Sequence, residues 1–318
     1  MTQDELILGA RGSMLSKAQV RLVESALRDA GLFKSIATEF IQTKGDVDAR
    51  PIVELGSKGI FTADIEAALK RGAIHAAVHS LKDLPIDETK ADGSEELTIC
   101  AVLERAPVND VLVSRFGQTL EALPHGARIG TSSTRRAAEL LRRRPDLVAV
   151  PIRGNVDTRI NKVLELGQFD ATILAKAGLV RLGKEEHISE TIPLDIMLSA
   201  PAQGAIAVQC LANYAHKAQL ERVNHEPTAL SVRAERAFLL GLGGGCSLPI
   251  SAYAHLNASK LHLWTRVVES SGQAMIEQKQ SVSVNESEGP KRLQKAHELG
   301  LRMAERAISL GAHKLMGL

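Results

Sequence analysis

Short apolar runs of strand length alternate with amphipathic segments of helical period over the first two thirds of the chain. The apolar run at 6–9 is followed by a turn and by a predicted helix, whose buried face is expected to carry Leu15, Ala18, Leu22, Ala26 and Leu27. Further predicted strands at 38–43 and 73–79 enclose a predicted helix at 62–71. Such alternation is typical of βαβ units with a mostly parallel sheet.

A second unit of the same kind begins after Ala106-Pro107. Its predicted strands and helices lie in turn at 111–114, 127–130, 133–144, 157–166, 171–174 and 176–182. The strand-like run at 202–210 is expected to return to the first sheet. From Thr228 the pattern changes to a helix, three strands and a final helix, which predicts an α+β module with an antiparallel sheet.

Composition favours a globular protein without a general affinity for polyanions. The 318 residues are 44% hydrophobic, and 39 basic against 37 acidic side chains give a net charge of +2. Aromatic residues make up 3% of the chain, which leaves few platforms for stacking single-stranded nucleic acid. Anion recognition must therefore come from local clusters of arginine.

The start of the chain and its cysteines predict a cytoplasmic protein without a membrane anchor. Residues 1–5 lack the features of a signal peptide, and no apolar run approaches the roughly 18 residues of a membrane span. Three cysteines are an odd number for a disulfide framework, and Cys100 and Cys210 lie in apolar runs typical of buried strands. His75 and His79 have the spacing of a helical zinc pair, but on a strand they would lie ~13 Å apart, which favours structural roles.

Four polar turns follow strand-like runs and supply candidates for a binding site. They lie at 11–13, 80–83, 131–136 and 153–155. In open α/β sheets, ligands bind beyond the carboxyl ends of the strands. Two α/β halves that each offer such turns would form a cleft between domains.

Hydroxyl and guanidinium groups are concentrated at these turns. The segment 131–136 opens a helix, where free N–H groups, hydroxyls and two guanidinium groups would form an anion site. The alternative is that the hydroxyls only cap the helix while the arginines are solvated. Together the turns offer at least six arginines, namely Arg11, Arg135, Arg136, Arg153, Arg159 and Arg181. Because each charge-assisted bond contributes roughly 1.5–3 kcal/mol, such a cleft suits a polycarboxylate ligand.

Two further residues are candidates for chemistry. Asp83 follows Lys82 in a polar turn and could hold a cationic group or N–H donors, although an ordinary turn carboxylate is the alternative. Cys246 lies on a glycine-rich turn after a long helix, where a thiol is sterically open. The alternative is a surface-loop cysteine beside a helix end, and the local pattern does not decide between the two.

In their order along the chain, these segments resemble the porphobilinogen deaminase (hydroxymethylbilane synthase) family over essentially the whole length. The matching motifs are GARGS at 9–13, TKGD at 43–46, HSLKDLP at 79–85, IGTSSTRR at 129–136, RGNV at 153–156, PAQG at 201–204, and the segment from Glu235-Arg236 to Gly245-Cys246. Any one motif could arise by chance, whereas the ordered set is highly specific.

The resemblance implies an α/β fold, with two lobes like those of periplasmic binding proteins and a smaller α+β C-terminal domain that has an antiparallel sheet. Domain 1 would span 1–104 and 203–223, domain 2 would span 105–202, and domain 3, which carries the cysteine, would span 224–318. The family resemblance also favours a monomer.

The resemblance further implies a transferase of haem biosynthesis. Four porphobilinogen molecules would be joined head-to-tail, each with loss of ammonia, onto a dipyrromethane cofactor that Cys246 holds through a thioether. Hydrolysis would then release hydroxymethylbilane. Porphobilinogen carries acetate and propionate groups, which agrees with an arginine-rich cleft.

The family's site residues map onto this chain by motif. Asp83 would be catalytic and would stabilise the azafulvenium cation that loss of ammonia leaves. The residues expected to bind the cofactor are Cys246, Asp83, Ser80, Lys82, Thr131, Ser132, Ser133, Arg135, Arg136, Arg153 and Gly154. Those expected to bind substrate are Arg11, Ser13, Arg159, Arg181, Gln203 and Lys58. No metal is expected.

The chain departs from the family in the segment that is mobile over the active site in relatives. Glu54 stands where many relatives carry a second lysine, four residues before Lys58. The usual lysine-glutamate pair is also replaced within 62–66. These changes leave Lys58 as the expected contact of this segment to substrate carboxylates.

Two other functions fit parts of the pattern. A non-catalytic two-lobed anion-binding protein would explain the lobes and the arginines, but it predicts an unmodified Cys246. A nucleic-acid binder using the arginines at 142–144 would bind with an affinity that falls steeply with salt. Near-neutral charge and few aromatic residues argue against it, and these three arginines are expected to form a solvated helix end.

Overall fold

The computed structural model describes residues 5–43, 62–86, 96–244, 248–285 and 289–318. The chain divides into two compact units. One comprises Met1–Arg105 and Ala205–Ala229, and the other comprises Ala106–Gly204 and Leu230–Leu318. In the described ranges, none of the helices combines the length and the apolar character that a membrane span requires.

The secondary structure follows the predicted order. The strands are β1 (Glu5–Arg11), β2 (Ser35–Ile41), β3 (Ala76–Ser80), β4 (Leu97–Val102), β5 (Asp110–Ser114), β6 (Arg128–Gly130), β7 (Val148–Val150), β8 (Ala171–Ala175), β9 (Glu190–Thr191), β10 (Ile206–Leu211), β11 (Ile250–Asn257), β12 (Lys260–Val268) and β13 (Met275–Ser283). The helices are α1 (Met14–Asp29), α2 (Ala63–Lys70), α3 (Thr134–Arg143), α4 (Val156–Leu164), α5 (Lys176–Leu182), α6 (Lys217–Leu220), α7 (Glu226–Gly241), α8 (Gly289–Ser309) and α9 (Ala312–Met316).

The first unit is built on a five-stranded sheet in the order β2-β1-β3-β10-β4. Strand β1 pairs in parallel with β2 and β3, whereas β10 runs antiparallel to β3 and β4. The prediction that the run near 202–210 returns to the first sheet is therefore confirmed. Helices cover both faces, because Val20 and Val23 of α1 pack in one apolar cluster while Ile65 and Leu69 of α2 pack in another.

The buried face of α1 differs from the predicted one. Its buried residues are Gln19, Val20, Val23 and Leu27, while Leu22 is 46% exposed. Positions 20, 23 and 27 recur at helical spacing and lie over the sheet. The prediction is wrong at Leu22, because the position of the sheet decides which face of an amphipathic helix is buried, and periodicity alone does not locate that sheet.

The second sheet repeats the topology of the first, in the order β7-β6-β8-β5-β9. Strand β6 pairs in parallel with β7 and β8, and β5 runs antiparallel to β8 and β9. In each sheet a single strand opposes the direction of the other four. The prediction of two similar, mostly parallel α/β sheets is confirmed.

The C-terminal module consists of the antiparallel sheet β11-β12-β13 with helices on its apolar face. Leu261 and Leu263 of β12 are buried, as are Leu299 and Met303 of α8. This sheet belongs to the same compact unit as residues 106–204. The predicted fold class, two α/β lobes and a smaller α+β module, is confirmed, while the boundaries of three separate domains stay a prediction.

Gly204 closes a tight backbone contact at the end of its unit's first segment. Its φ is +85°, and a Cβ there would overlap the carbonyl oxygen of Ala106. Ala106 N donates to Gly204 O at 3.2 Å, so the two segments lie side by side. Glycine is required here both for the left-handed backbone and for the close approach.

Gly204→Ala is expected to lower the free energy of unfolding by roughly 3 kcal/mol or more, because backbone strain and overpacking add. Gly183→Ala is the matched control, since Gly183 also has a left-handed φ, +63°, but open space around it. The control should cost about 1 kcal/mol. Urea denaturation measures both, and equal losses would show that the contact with Ala106 is unimportant.

Candidate active site

The first polar turn joins β1 to α1. Arg11 is the last residue of β1, and Ser13 is the N-cap of α1, with its Oγ accepting from Ser16 N at 3.2 Å. Ser13 Oγ also donates to Ser16 Oγ at 2.9 Å. The structure thus gives Ser13 a capping role, and the substrate contacts of Ser13 and Arg11 stay predictions.

The second polar turn presents Lys82 and Asp83 at the end of β3. Residues Leu81–Asp83 form one turn of 3₁₀ helix, and Leu81 and Leu84 are buried. Leu81 N also donates to Ala205 O at 3.0 Å. With these two leucines anchored in the core, Asp83 is exposed and Lys82 is partly exposed.

Ser80, at the start of this turn, is tied to the neighbouring helix. The buried Gln19 of α1 donates from Nε2 to Ser80 Oγ at 2.7 Å. Since Gln19 follows the Ser13 cap on the same helix, this bond fixes the first and second polar turns relative to each other. The predicted residues Ser13 and Ser80 therefore belong to one local arrangement within the first unit.

His79 has a structural role, as predicted. It is buried on β3 and its Nε2 lies 3.1 Å from Gln209 Oε1. Burial lowers the pKa of His79 to about 4, although the bond to Gln209 acts in the opposite direction. Gln209 Nε2 in turn donates to Glu66 at 3.3 Å, so Glu66, within the segment that departs from the family, has a partner in the sheet. His75 accepts from Ile7 N at 3.1 Å.

The third polar turn, between β6 and α3, is held by its own hydroxyls. Thr131 is buried and accepts from Ser133 N at 3.2 Å, and Ser133 caps α3 by accepting from Arg136 N at 3.4 Å. Ser132 Oγ donates to Ile152 O at 2.7 Å and accepts from Ile152 N at 3.0 Å. The capping interpretation is correct for Ser133, and Ser132 joins this turn to the strand end after β7.

The two arginines of this turn are buried against one carboxylate, Asp110 on β5. Arg135 Nη2 lies 2.7 Å from Asp110 Oδ2, while Arg136 Nη2 and Nε lie 2.7 and 3.1 Å from Asp110 Oδ1. Gln203 Nε2 adds a bond to Oδ1 at 2.9 Å and another to Val108 O at 2.8 Å. The interpretation of Arg135 and Arg136 as solvated side chains is wrong, because both are nearly inaccessible to solvent.

The Asp110 cluster carries surplus positive charge. Two guanidinium groups share one carboxylate, and their other hydrogen bonds to described residues go to neutral carbonyls, Arg135 to Leu198 O at 2.6 Å and Arg136 to Ile173 O at 3.0 Å. Burial acts to raise the pKa of Asp110, but the charges of Arg135 and Arg136 outweigh it and lower that pKa well below its ordinary value. Together with the helix N-terminus, this arrangement favours a bound anion.

Arg181 on α5 adds a third guanidinium group, which bonds the residue after Gln203. Its Nη2 donates to Gly204 O at 2.6 Å, and its buried Nε has no hydrogen-bond partner among the described residues. Desolvation lowers the pKa of Arg181 to about 10, and no described carboxylate counteracts this shift. A partly buried guanidinium group without an ionic partner fits a site for a carboxylate ligand.

The fourth polar turn follows β7 and is closed by basic side chains. Gly154 has a φ of +114°, and a Cβ there would lie 2.6 Å from Thr158 Cβ. Arg159 Nε donates to Gly154 O at 2.8 Å, and Lys162 Nζ donates to Arg153 O at 3.0 Å. This turn requires glycine, and Arg159 and Lys162 of the following helix bond its carbonyls.

Comparison with known proteins decides the family. Residues 6–219 match the family model described as "Porphobilinogen deaminase, dipyromethane cofactor binding domain". Residues 229–309 match "Porphobilinogen deaminase, C-terminal domain". The chain belongs to the porphobilinogen deaminase family.

Curated porphobilinogen deaminases are similar to this chain over nearly its full length. A porphobilinogen deaminase of Roseiflexus castenholzii is 39% identical over 316 residues, which is 99% of each chain. One of Natranaerobius thermophilus is 39% identical and covers 98% of each chain. Among solved structures, a nutrient-binding protein from Burkholderia cenocepacia bound to methionine is 13% identical, and the match covers 68% of this chain and 89% of that protein. Its TM-score of 0.41 is too low to bear on fold or function.

Membership of the porphobilinogen deaminase family makes this chain a transferase of tetrapyrrole biosynthesis that uses a dipyrromethane cofactor. The alternative of a non-catalytic anion-binding protein is therefore wrong. Porphobilinogen as the substrate fits the family. The Asp110 cluster and Arg181 also fit an acidic cofactor, because both offer positive charge that described carboxylates do not balance.

Several predicted residues have no structural description, and one predicted surface differs in part from the structure. Lys58, Glu54 and Cys246 lie outside the described residues. The expectation of a solvated helix end at 142–144 holds for Arg143, which pairs with Glu121, but not for Arg142 and Arg144, which pair with Glu139 and Asp146 at less accessible positions. Of the three, only the Arg143 pair lies in an exposed position, with side chains 48% and 52% accessible.

Asp110 itself was missed as a site residue. Its only sequence signal is an acidic residue directly before the apolar run 111–114, which is also compatible with a turn. Its role depends on partners 25, 26 and 93 residues away in the chain. Such separations leave no local pattern for sequence analysis to detect.

Asp110→Asn is expected to lower the free energy of unfolding by about 3–5 kcal/mol, because it leaves two buried guanidinium groups without a counter-charge. Asp146→Asn is the matched control, as Asp146 also bonds an arginine at 2.7 Å but at a more accessible position. The control should lose less stability. Chemical denaturation at neutral pH measures both, and comparable losses would contradict the analysis of the Asp110 cluster.

Proposed function

We propose that Cys246 holds the dipyrromethane through a thioether and that the polar turns bind its carboxylates and those of porphobilinogen. Helix α7 leads to this cysteine and ends in a Schellman motif, with Gly244 N donating to Leu239 O and Gly243 N to Leu240 O, both at 2.9 Å. Among the described residues, no atom lies within 4 Å of a Cβ built at either glycine. This open backbone two residues before Cys246 supports an accessible thiol.

The observation that carries the proposal is the surplus of positive charge in the second unit. Arg135 and Arg136 share Asp110, and Arg181 donates to the neutral carbonyl of Gly204. A polycarboxylate would supply the missing negative charge at each point. The dipyrromethane, when bound, supplies the acceptor to which each porphobilinogen is joined with loss of ammonia.

We assign two kinds of role to the predicted site residues. Direct contact with acidic groups is proposed for Arg11, Ser13, Lys58, Ser80, Lys82, Thr131, Ser133, Arg135, Arg136, Arg153, Gly154, Arg159 and Arg181. Gln203 and Ser132 instead support the site, since Gln203 is fully buried against Asp110 and Ser132 is bonded to the backbone of Ile152. This assignment replaces the sequence-based expectation that Gln203 and Ser132 contact ligands directly.

Asp83 is the proposed catalytic residue. Its 3₁₀ turn is anchored by two buried leucines, which keeps the exposed carboxylate in a fixed place. From there Asp83 would accept bonds from pyrrole N–H groups and stabilise the positive charge that forms as ammonia leaves. The adjacent Lys82 would hold an acidic side chain of the same ligand.

The reaction proposed for the whole chain is head-to-tail joining of four porphobilinogen molecules, followed by hydrolytic release of hydroxymethylbilane. A monomer in the reducing cytoplasm, without a nucleic-acid or membrane partner, completes the proposal. Its support is that Cys100 and Cys210 are buried free thiols and that the net charge is +2. The pairing of the arginines at 142–144 within the fold also supports it.

Intact-mass spectrometry tests the covalent tether. The purified protein should be heavier than its sequence by one dipyrromethane, and Cys246→Ala should have the mass of the bare chain. Cys100→Ala is the control, because Cys100 is a buried strand residue of the first unit, and it should keep the added mass. An active wild-type protein of unmodified mass would overturn the proposal.

Asp83→Asn tests the catalytic assignment. We expect kcat to fall about 10²–10⁴-fold, as is typical for loss of a residue that handles a proton or charge in the transition state. KM for porphobilinogen should change far less, since the arginines remain. Asp29→Asn, at another exposed carboxylate of the first unit, should leave kcat unchanged. A wild-type kcat in Asp83→Asn would remove this residue from the mechanism.

A further inference from the structure

A second buried ion pair joins α3 to the C-terminal sheet. Glu139 of α3 is fully buried, and Arg266 Nη1 of β12 donates to its two carboxylate oxygens at 2.9 and 3.1 Å. Arg142 Nε donates to the same carboxylate at 3.1 Å, and Ser251 Oγ of β11 donates at 3.2 Å. One carboxylate therefore receives bonds from one helix and from two strands of the module.

The far side of Arg266 is also engaged. Its Nε donates to Glu277 of β13 at 2.7 Å, and its Nη2 donates to Asp195 O at 3.1 Å. Arg142 Nη2 donates to the same Asp195 carbonyl at 3.1 Å. Two guanidinium groups and two carboxylates balance in charge, so this network, unlike the Asp110 cluster, does not attract a further anion. It acts as a closed link between helix and sheet.

Backbone bonds reinforce the same junction. Ala252 N of β11 donates to Ser199 O at 3.0 Å. Glu235 of α7 is buried and accepts from Ala202 N at 2.6 Å and from Ala254 N at 2.7 Å. Residues 106–204 and the C-terminal module are therefore fixed to each other by bonds of several kinds, and the Glu139–Arg266 pair is the part that touches α3.

The position of this pair along the chain connects it to residues of the proposed reaction. Glu139 lies one helical turn after Arg135 on α3, a rise of about 6 Å. Strand β11 begins at Ile250, four residues after Cys246, so the tether is at most about 14 Å of extended chain from the strand that bonds Glu139. The pair thus joins the helix that carries the guanidinium groups of Arg135 and Arg136 to the sheet whose first strand follows Cys246 in the chain.

We propose that Glu139 and Arg266 are positioning residues for cofactor attachment, because they hold the helix of Arg135 and Arg136 against the sheet whose first strand follows Cys246 in the chain. The inference rests on the proposed roles of these three residues. Such a pair would affect both cofactor attachment and the later reaction steps. A cofactor held by a covalent bond reaches the arginines only if its attachment point is correctly placed relative to them. Loss of the pair should slow cofactor attachment even where the protein is still folded.

The test follows cofactor attachment by mass. Apoprotein, produced in a host that makes no porphobilinogen, is mixed with porphobilinogen, and the gain of dipyrromethane mass is timed at a temperature where circular dichroism shows each variant folded. Arg266→Met and Glu139→Gln should attach the cofactor at least 10-fold more slowly than wild type. Arg266→Lys, which keeps the charge opposite Glu139, should recover to within threefold of the wild-type rate.

Arg144→Met is the matched control. Arg144 bonds Asp146 and the carbonyls of Leu120 and Leu123, so the hydrogen bonds described for it lie within residues 106–204. It should lower the melting temperature and leave the attachment rate unchanged. The inference is overturned if Arg266→Met attaches cofactor within twofold of wild type, or if Arg144→Met slows attachment as much for the same loss of melting temperature.

Two further outcomes are distinguishable. If Arg266→Met does not fold, Glu139→Gln decides the matter, because it keeps the side-chain shape and removes only the charge. If the wild-type apoprotein gains no dipyrromethane mass at all, the proposed role of Cys246 is wrong, and the positioning role is overturned with it. Slow attachment confined to the Glu139 and Arg266 variants supports the inference.

Discussion

The buried carboxylate of Asp110 holds together the part of the molecule on which the proposed chemistry depends. A carboxylate without solvent is stable only when paired and hydrogen-bonded, and Asp110 obtains this from Arg135, Arg136 and Gln203. In return it fixes two guanidinium groups behind the N-terminus of α3. Since one negative charge serves two positive ones, the cluster is stable as a fold element and still favours an anionic ligand.

In the same unit, charge balance separates the groups that support the fold from the groups that are proposed to bind the ligand. The network of Glu139, Arg142, Arg266 and Glu277 is neutral and links α3 to the C-terminal sheet. Arg181 donates to the neutral carbonyl of Gly204, and desolvation lowers its pKa. An enzyme that lengthens an acidic oligomer needs both kinds of arrangement: closed networks that hold the elements in place and unbalanced cations that bind the growing chain.

Much of the fold could be predicted from the sequence, because local signals specify it. The order of strands and helices, the cap at Ser133 and the glycine C-cap of α7 depend on periodicity and on residues a few positions apart. The exposed Leu22 shows the limit, since a helix face is decided by the sheet beneath it. The predicted site residues were found through an ordered set of motifs, whereas Asp110 was not, because its bonds join residues that are 25 to 93 positions apart in the chain.

The measurement that tests the central claim most directly is the ionisation of Asp110 in the folded protein. Carbon-13 NMR of its labelled carboxyl group, followed from neutral pH down to about pH 4, reports the charge of this one group. The two guanidinium groups lower its pKa, so the resonance should stay that of a carboxylate throughout this range. A carboxyl group that takes up a proton near the ordinary aspartate value of about 3.9, with the protein still folded, would contradict the account.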